Sequence, residues 1–502
     1  MPDAIVGLSL PADIAATGRP DVELLLVPSA SQVLFVTPEI ADFVKAGGLG
    51  EISAYLPRVL RREGMDVRVL VPGYSQVLQD AVSIQIVAEL PGLAQIPPCR
   101  IGFTHAGDGL PVYVVICPEL YERPGSPYVD ESGAEFPDND LRFARLSLAA
   151  SDMAGGLLGL GWQPDLVHAN DWPAALAPAY MAWRGVDRPS IMTVHNMAYQ
   201  GVFEKDRMTA LGMPEYAFQT EGVEFYGKIS FLKAGLFYAT HLTTVSPTYA
   251  REILTPEFGC GLDGLLRDRE RSGQLTGILN GIDESYDPLN DPHLKHHFSR
   301  DDFSGKASNA KDLRAAFGLE QKPAPLFALV SRLVHQKGVD LVIASADAIV
   351  RGGGQVVATG QGEPELEKAI AELADRHPGA VGVKIGFDET TARRMYAGSD
   401  FLLMPSRYEP CGLSQMYAQR FGSLPIARNT GGLADTIQDD VTGFLFNKSS
   451  ASSLSKTIHR ALEAFHGGKK LHQMKRAAMQ RPAGWRGAAL RYKALYKRAS
   501  VA

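Results

Sequence analysis

Short apolar runs alternate with glycine or polar turns and with helical patterns along most of the chain. Residues 33–36 are the first run, a glycine-rich turn follows at 47–50, and residues 51–63 then carry apolar side chains at helical spacing. This alternation is typical of βα units, in which parallel strands are covered by helices on both faces. The pattern therefore predicts an α/β protein.

The apolar runs fall into two series with a polar stretch between them. They lie at residues 33–36, 67–71, 112–116, 165–168, 191–195 and 242–246, then at 326–330, 355–359, 381–385, 401–404 and 424–427. We therefore predict two doubly wound, Rossmann-like domains that face each other across a cleft. Ligands of such sheets bind beyond the carboxyl ends of the strands, so the cleft is the expected site.

The same pattern predicts four segments. Residues 1–30 precede the first run, and we expect them to be a flexible extension. The first domain is predicted at 31–275 and the second at 276–483, because residues 274–319 are rich in turn-forming Asn, Asp, Pro and His. Residues 484–502 are predicted to contain a closing helix.

Charge and composition narrow the range of partners. The chain has 502 residues, with 50 Lys and Arg against 56 Asp and Glu, so its formal net charge is −6 and nucleic acid is not an expected partner. No stretch approaches the ~20 apolar residues of a membrane span, and Asp3 disfavours a secretory signal. Four cysteines without C-x-x-C spacing fit a reducing cytoplasm. The oligomeric state stays open.

A glycine-rich loop follows the first apolar run. Lys45, Gly47 and Gly48 lie between a predicted strand and a predicted helix. Glycines allow positive φ and close approach of a ligand, and a helix N-terminus attracts phosphate, so a diphosphate site is predicted. The alternative is a plain βα turn with a solvated lysine. The spacing matches neither the dinucleotide fingerprint nor the P-loop.

The second domain offers cations and a carboxylate at strand ends. Arg332 and Lys337 follow the run at 326–330, and Glu409 follows the run at 401–404. Two cations can neutralise a leaving diphosphate without a metal, although a pair of surface cations is the alternative. No metal-ligand spacing is present, so neither a metal nor another cofactor is expected.

Glycine turns and a cysteine accompany Glu409. A helix is predicted to start near Gly412, and a further glycine turn lies at Thr430 and Gly431. Cys411 has no evident catalytic partner in the sequence, so packing is a better interpretation than a nucleophile.

The first domain contributes two histidines at strand ends. His168 and His195 end two apolar runs, and Asp171 and Trp172 lie close to His168 in the chain. A single histidine at a strand end is often structural, but this grouping favours a site. For Trp172, stacking on a sugar and packing in the core stay equally open.

These residues belong to motifs that run from about residue 33 to 496. The chain resembles the bacterial glycogen synthases and plant starch synthases, which are retaining glucosyltransferases of the GT-B fold. The motifs that carry the resemblance are residues 45–50, 123–128, 140–143, 168–172, 194–201, 229–235, 244–250, 280–283, 331–338, 406–413 and 430–435.

The resemblance implies transfer of glucose from ADP-glucose to the non-reducing end of an α-1,4-glucan such as glycogen, with retention at the anomeric carbon. It implies that Lys45, Arg332 and Lys337 bind the donor and that an essential Glu409 contacts its sugar. It also implies that the last helix crosses back to the first domain. The predicted catalytic residues are Glu409, His195, Asp171, Lys337 and Arg332. The predicted substrate-binding residues are Lys45, Gly47, Gly48, Glu51, Tyr128, Asn280, Cys411, Gly412, Leu413, Thr430 and Gly431.

Three residues depart from the family pattern. Glu51 replaces a usual Asp, Pro173 a frequent His or Gln, and Phe387 an aromatic residue that is often Tyr. The residues alone do not distinguish ADP from UDP donors or a front-face from a covalent route. A UDP-sugar transferase of the same fold and a glucan-binding pseudoenzyme are the alternative functions.

Overall fold

The computed structural model describes residues 31–156 and 161–500. The predicted N-terminal extension, residues 1–30, lies outside the described residues. None of the described helices combines the length and apolarity that crossing a membrane requires.

The strands of the described residues are numbered in chain order. They are β1 Gln32–Val36, β2 Asp66–Pro72, β3 Gln85–Leu90, β4 Cys99–Ala106, β5 Leu110–Ile116, β6 Leu166–Asn170, β7 Ser190–Val194, β8 Val202–Phe203, β9 Glu224–Phe225, β10 Lys228–Ser230, β11 His241–Thr244, β12 Leu275–Gly277, β13 Leu326–Val330, β14 Gln355–Gly360, β15 Val381–Ile385, β16 Phe401–Met404, β17 Leu424–Arg428 and β18 Phe444–Phe446.

The helices are numbered in the same way. They are α1 Gly48–Arg62, α2 Ser75–Asp80, α3 Pro118–Tyr121, α4 Asn139–Ala154, α5 Asp171–Ala174, α6 Leu176–Trp183, α7 Arg207–Ala210, α8 Phe231–Tyr238, α9 Pro247–Glu252, α10 Asp263–Arg271, α11 Ser304–Ala316, α12 Val339–Arg351, α13 Pro364–Arg376, α14 Glu389–Gly398, α15 Ser414–Arg420, α16 Gly431–Thr436, α17 Ala451–His466, α18 Lys469–Met479 and α19 Arg486–Ala499. Short 3-10 helices lie at Glu215–Ala217 and His335–Lys337.

Two large sheets organise the described residues. The first has nine strands in the order β12-β11-β7-β6-β1-β2-β5-β4-β3, and the second has six in the order β15-β14-β13-β16-β17-β18. The second sheet is parallel throughout, and in the first only β4 runs antiparallel to its neighbours β3 and β5. The predicted α/β fold class is confirmed.

The central strands are apolar on both faces because helices cover both sides of each sheet. All seven residues of β5 and all five of β13 are buried. Strands β3 and β4 lie outside the predicted runs, because exposed positions interrupt their apolar residues. Sequence patterns detect buried central strands more readily than such partly exposed strands at or next to the edge of a sheet.

Strand β12 marks the end of the first sheet. It pairs in parallel with β11, so that Leu275 lies opposite Leu242 and Gly277 opposite Thr244. The boundary predicted near residue 275 therefore falls inside this strand, and the first sheet continues to Gly277. Both sheets belong to one compact unit that begins at Ser31. Their division into separate domains stays a prediction.

The two chain segments that join the sheets lie side by side. The Ile282 amide donates a hydrogen bond to the Ala483 carbonyl at 2.7 Å, and Ile282 pairs with Gly484 in a parallel bridge. A Cβ atom on Gly281 would lie 2.5 Å from the backbone nitrogen of Trp485, so only glycine fits there. The two connections therefore act as one joint between the sheets.

The last helix, α19, packs on the first sheet. The Tyr496 hydroxyl lies 2.7 Å from Nδ1 of His168, whose Nε2 lies 2.6 Å from Oγ1 of Thr193. Burial lowers the pKa of His168 to about 3, so its ring is neutral at physiological pH. His168 is therefore a core residue that anchors α19, and the expectation that it contributes to the site is wrong.

We expect Tyr496→Phe to lower the free energy of unfolding by about 1–3 kcal/mol, because it leaves a buried ring nitrogen of His168 without its partner. Urea unfolding measures this change. Arg486 on the same helix is a matched control, since its ion pair with Glu63 is largely exposed. Arg486→Ala should cost less than about 1 kcal/mol. Equal losses in the two variants would contradict the anchoring role of His168.

Candidate active site

The glycine loop before α1 is held by a buried acid, Glu39. The amides of Ala46 and Gly47 donate to Oε2 of Glu39 at 2.6 and 3.0 Å, and the Tyr128 hydroxyl donates to Oε1 at 3.0 Å. Glu39 is only 2% exposed, and burial raises its pKa. Glu39 is not among the site residues predicted from the sequence, although an acidic residue three positions after the first strand was an available signal.

Gly47 and Gly48, the two glycines of this loop, leave open space beside it. Neither Gly47 nor Gly48 has a positive φ, so the expectation that this turn exploits positive φ is wrong. A Cβ atom on Gly48 would meet nothing within 4 Å, and one on Gly47 would approach only Glu39, at 3.9 Å. The loop therefore leaves room for a ligand beside the start of α1, as the predicted phosphate site requires.

Lys45 and Glu51 form the side of the loop that meets the second sheet. Lys45 Nζ lies 2.5 Å from Oε1 of Glu51, and the Tyr417 hydroxyl donates to Oε2 at 2.6 Å. Tyr417 follows β16 of the second sheet and stacks on Tyr286, with ring centroids 3.7 Å apart. Glu51, which departs from the family pattern, therefore links the loop to the opposite side of the cleft.

Lys337 and Glu409 lie together at the strand ends of the second sheet. Lys337 Nζ is 2.8 and 2.6 Å from the two carboxylate oxygens of Glu409, and the Ser406 hydroxyl donates to Oε2 at 2.9 Å. Glu409 is 5% exposed. Gly338, with φ 69°, brings the two loops together, because a Cβ atom there would lie 2.3 Å from the Pro405 carbonyl oxygen.

Arg332 is placed differently from Lys337. It is exposed, and its Nη2 donates to Oε1 of Gln336 at 3.3 Å. Its guanidinium therefore has donors left for a ligand. Arg332 precedes the short helix His335–Lys337, and Lys337 is the last residue of that helix, so both predicted cations lie in the turn that follows β13.

The loop after Glu409 contains the predicted positions Cys411, Gly412 and Leu413. Gly412 has φ 68°, and a Cβ atom there would lie 2.5 Å from Oε1 of Gln415. The left-handed Gly412 cannot be part of a right-handed helix, so α15 begins at Ser414, two residues later than the predicted start.

Cys411 packs against Asn280. Cys411 is 7% exposed, and burial raises the pKa of its thiol to about 12, although nearby Asn280 acts in the lowering direction. A thiol that stays protonated is a poor nucleophile, which agrees with the packing interpretation. Oδ1 of Asn280 is buried without a hydrogen-bond partner among the described residues.

Thr430 and Gly431 contact the carboxylate of Glu252, which lies on the side of the cleft that the first sheet forms. The Thr430 hydroxyl donates to Oε1 of Glu252 at 2.8 Å, and the Gly431 amide donates to the same oxygen at 3.0 Å. A Cβ atom on Gly431 would lie 1.9 Å from the Glu409 carbonyl oxygen, so this glycine lets the turn pack on the Glu409 loop. The predicted role of both residues in substrate binding stays a prediction.

Asp171 and His195 lie at neighbouring strand ends, because β6 and β7 pair in parallel. The His195 amide donates to Oδ1 of Asp171 at 3.3 Å, and its Nε2 lies 3.0 Å from Oδ1 of Asn170. Burial raises the pKa of Asp171 to about 7, the Glu39 carboxylate pushes it the same way, and burial lowers the pKa of His195 to about 3. Nδ1 of His195 has no partner among the described residues.

Trp172 packs in the core. Its ring centroid lies 4.8 Å from that of Phe143, and a Cβ atom on Gly201 would lie 2.3 Å from its ring. Core packing is therefore the better of the two interpretations of Trp172. Phe387, by contrast, is 62% exposed at the edge of the second sheet.

The described residues contain no group of three or more His, Cys, Asp or Glu side chains placed to hold a metal ion. The histidines of the polar stretch make separate contacts instead. His293 hydrogen-bonds Thr390, His296 lies 3.4 Å from Asp312, and His297 contacts the Asp291 carbonyl.

Two family models match the chain, one to each sheet. The starch synthase catalytic domain matches residues 32–268, and glycosyl transferases group 1 match residues 311–481. The glycogen synthase of Pseudomonas putida is 57% identical over 97% of this chain and 94% of its own length. That of Pseudomonas aeruginosa is 58% identical over 93% of this chain and 91% of its own length.

Solved structures agree. The catalytic domain of starch synthase IV from Arabidopsis thaliana, bound to ADP and acarbose, is 30% identical, with a TM-score of 0.85 over 94% of this chain and all of that one. Sucrose-phosphate synthase from Thermosynechococcus elongatus is 18% identical, with a TM-score of 0.57 over 93% of this chain and 98% of that one, a likeness of fold alone. The predicted GT-B fold is confirmed. The chain belongs to the glycogen synthase and starch synthase family of glycosyltransferases.

Proposed function

We propose that this glycosyltransferase transfers glucose from ADP-glucose to the non-reducing end of an α-1,4-glucan such as glycogen, with retention at the anomeric carbon. The observation that carries the proposal is the buried contact between Lys337 and Glu409, which places a cation and a carboxylate together at the strand ends of the second sheet. The glycine loop with Lys45 supplies the opposite side of the cleft.

The cations recognise the diphosphate of the donor. Lys337 has three N–H donors, and Arg332 has five, of which one contacts Gln336. Charge-assisted hydrogen bonds from these groups, and from amides beside Gly48, stabilise the negative charge that develops on the departing nucleotide. No metal or other cofactor is needed for this step in the proposal.

Glu409 contacts the donor sugar. Lys337 and the Ser406 hydroxyl both donate hydrogen bonds to its carboxylate. As the bond between the anomeric carbon and the diphosphate breaks, the sugar gains oxocarbenium character, and a nearby carboxylate favours that positive charge. The same hydrogen bonds hold the carboxylate in position before the reaction.

The acceptor enters from the side of the first sheet, where Asp171 and His195 lie. In the front-face route, the acceptor oxygen bonds to the anomeric carbon on the face that the diphosphate leaves. The acceptor proton passes to the departing phosphate oxygen. In this route the neutral ring of His195 and the side chain of Asp171 orient the hydroxyl groups of the sugars. No strong protein base is required.

The compartment that we propose is the reducing cytoplasm. All four cysteines, Cys99, Cys117, Cys260 and Cys411, are free thiols. Intracellular reductants keep thiols in this state.

Nucleotide release from ADP-glucose and from UDP-glucose, each with glycogen present, tests the proposed function. We expect release of ADP well above the rate without glycogen, and slower release of UDP. A preference for UDP-glucose would contradict the proposed donor. Glycogen binding without release of either nucleotide would identify a pseudoenzyme.

Glu409→Gln should lower kcat by about a hundredfold or more, because the oxocarbenium-like sugar loses its facing negative charge. Initial rates at saturating ADP-glucose measure the loss. Glu365→Gln, which neutralises an exposed carboxylate in α13, is the matched control and should keep the wild-type rate. Near-normal turnover of Glu409→Gln, with an unchanged melting temperature, would remove Glu409 from the catalytic role.

The pH profile should reflect Asp171, whose pKa burial raises to about 7. Below pH 7 the carboxyl is protonated and loses the negative charge that makes it a strong acceptor for a sugar hydroxyl, so kcat/KM should fall as the pH drops from 8 to 6. His195, with its pKa lowered to about 3, stays neutral over this range. Asp171→Asn should remove the inflection. An identical inflection in that variant would assign it to another group.

A chelator should leave the initial rate unchanged, because the proposed diphosphate site consists of Arg332, Lys337 and backbone amides. The rate is measured before and after dialysis against EDTA. Loss of activity that added Mg²⁺ restores would contradict the metal-free proposal.

A further inference from the structure

Helices α9 and α16 meet across the cleft through two carboxylates. Glu252, the last residue of α9, accepts hydrogen bonds from the Thr430 hydroxyl at 2.8 Å and from the Gly431 amide at 3.0 Å. Both donors belong to the turn that starts α16, on the side of the second sheet. Thr430 is 1% exposed, so one side of this contact is buried.

The second carboxylate makes the reverse contact. Asp435, near the end of α16, accepts from the Thr248 amide at 2.8 Å and from the Thr248 hydroxyl at 2.7 Å. Thr248 lies at the start of α9, so each helix provides the carboxylate that binds the first turn of the other. Arg251 also donates to the Thr248 hydroxyl, at 2.8 Å.

A third cross-cleft bond connects this helix pair to the catalytic loop. The Ser246 hydroxyl, directly before α9, donates to the carbonyl of Pro410 at 2.6 Å. The Gly432 amide donates to the carbonyl of Glu409 at 3.0 Å, which fixes the backbone on the other side of the same loop. The backbone around Glu409 is therefore held by groups from both sides of the cleft.

We propose that Glu252 and Asp435 are positioning residues that form a reciprocal clamp. The clamp consists of Ser246, Thr248, Glu252, Thr430, Gly431 and Asp435. It closes the cleft and, through Ser246 and the turn that contains Gly431 and Gly432, holds the Glu409 backbone in its catalytic position. The clamp carboxylates touch amides and hydroxyls of the protein, so their role is to act through Glu409 rather than on the substrate.

The hydrogen bonds of the clamp have a strength that allows the cleft to close and to open again. The hydrogen bonds are charge-assisted, which makes them stronger than neutral ones. Glu252 and Asp435 are both only half-buried, so each carboxylate regains water when the helices separate, and the net gain of closure stays modest. A cleft that admits a glucan and releases a nucleotide needs such a balance.

The clamp also explains the buried position of Thr430. The glycine turn at residues 430–432 is predicted to bind substrate, yet the Thr430 hydroxyl and the Gly431 amide are engaged by Glu252. The turn packs on the Glu409 loop, since a Cβ atom on Gly432 would lie 2.0 Å from the Cys411 carbonyl oxygen. Through these contacts the turn also sets the shape of the Glu409 loop.

The test compares Glu252→Ala, Asp435→Ala and the double variant with wild type. Small-angle X-ray scattering of the unliganded protein reports cleft closure, and kcat and KM for ADP-glucose report the reaction. The kinetic arm rests on the proposed function, whereas the scattering arm does not. Glu257→Ala, an exposed acid five residues after Glu252, is the matched control and should behave as wild type.

We expect each single variant to increase the radius of gyration and to lower kcat about tenfold, the loss typical of a charge-assisted hydrogen bond. The double variant should lose little more than either single variant, because one broken half already frees the helix pair. Glu252→Gln keeps the side chain's size and one acceptor oxygen, so it should fold normally and retain more activity than Glu252→Ala.

An unchanged radius of gyration together with a wild-type kcat in both alanine variants would overturn the clamp. A purely structural role would also overturn the clamp. It would show as a lower melting temperature, unchanged scattering and equal kcat losses in Glu252→Gln and Glu252→Ala. If wild type fails to use ADP-glucose, the proposed function fails, and the scattering result alone decides on the clamp.

Discussion

Lys337 Nζ contacts both carboxylate oxygens of Glu409, at 2.8 and 2.6 Å. The strands and loops around this pair have to hold the two side chains together. Its members follow different strands, β13 and β16, which pair in parallel, so the sheet brings together two residues 72 positions apart. Removing one member would leave a buried charge without its partner, which is costly. The close approach of Gly338 to the Pro405 carbonyl keeps the two loops in the required register.

Acids along the cleft are satisfied by donors of the protein. Glu39 accepts two loop amides, and Glu51 accepts from Lys45 and from Tyr417 across the cleft. Asp171 accepts the His195 amide, and burial raises its pKa to about 7. This pairing leaves the donors of Arg332 and the space beside Gly48 for a diphosphate. We therefore infer that the cleft favours an anionic donor because the charges of its acidic side chains are already compensated by donors of the protein.

The sequence predicted the parts of this structure that depend on local pattern. Buried central strands have continuous apolar runs, so the strand ends that carry Lys337 and Glu409 could be located. The role of Glu252 could not be predicted, because the amide that it binds lies 179 positions away in the chain. The amides that Glu39 binds are only seven and eight positions away, but no local pattern shows that the loop turns back onto this carboxylate. His168 illustrates the same limit, since its partner Tyr496 lies 328 positions away. Loop geometry set the start of α15, because the left-handed Gly412 delays it to Ser414.

The linkage of the transferred sugar tests retaining α-1,4-glucosyl transfer from ADP-glucose. The protein is incubated with glycogen and ADP-glucose labelled in the glucose unit, and the product is digested with an exo-acting enzyme specific for α-1,4 bonds. We expect label to enter the glycogen and the digestion to release it as the terminal residue. Incorporation that resists the enzyme, or no incorporation at all, would contradict retaining α-1,4-glucosyl transfer from ADP-glucose.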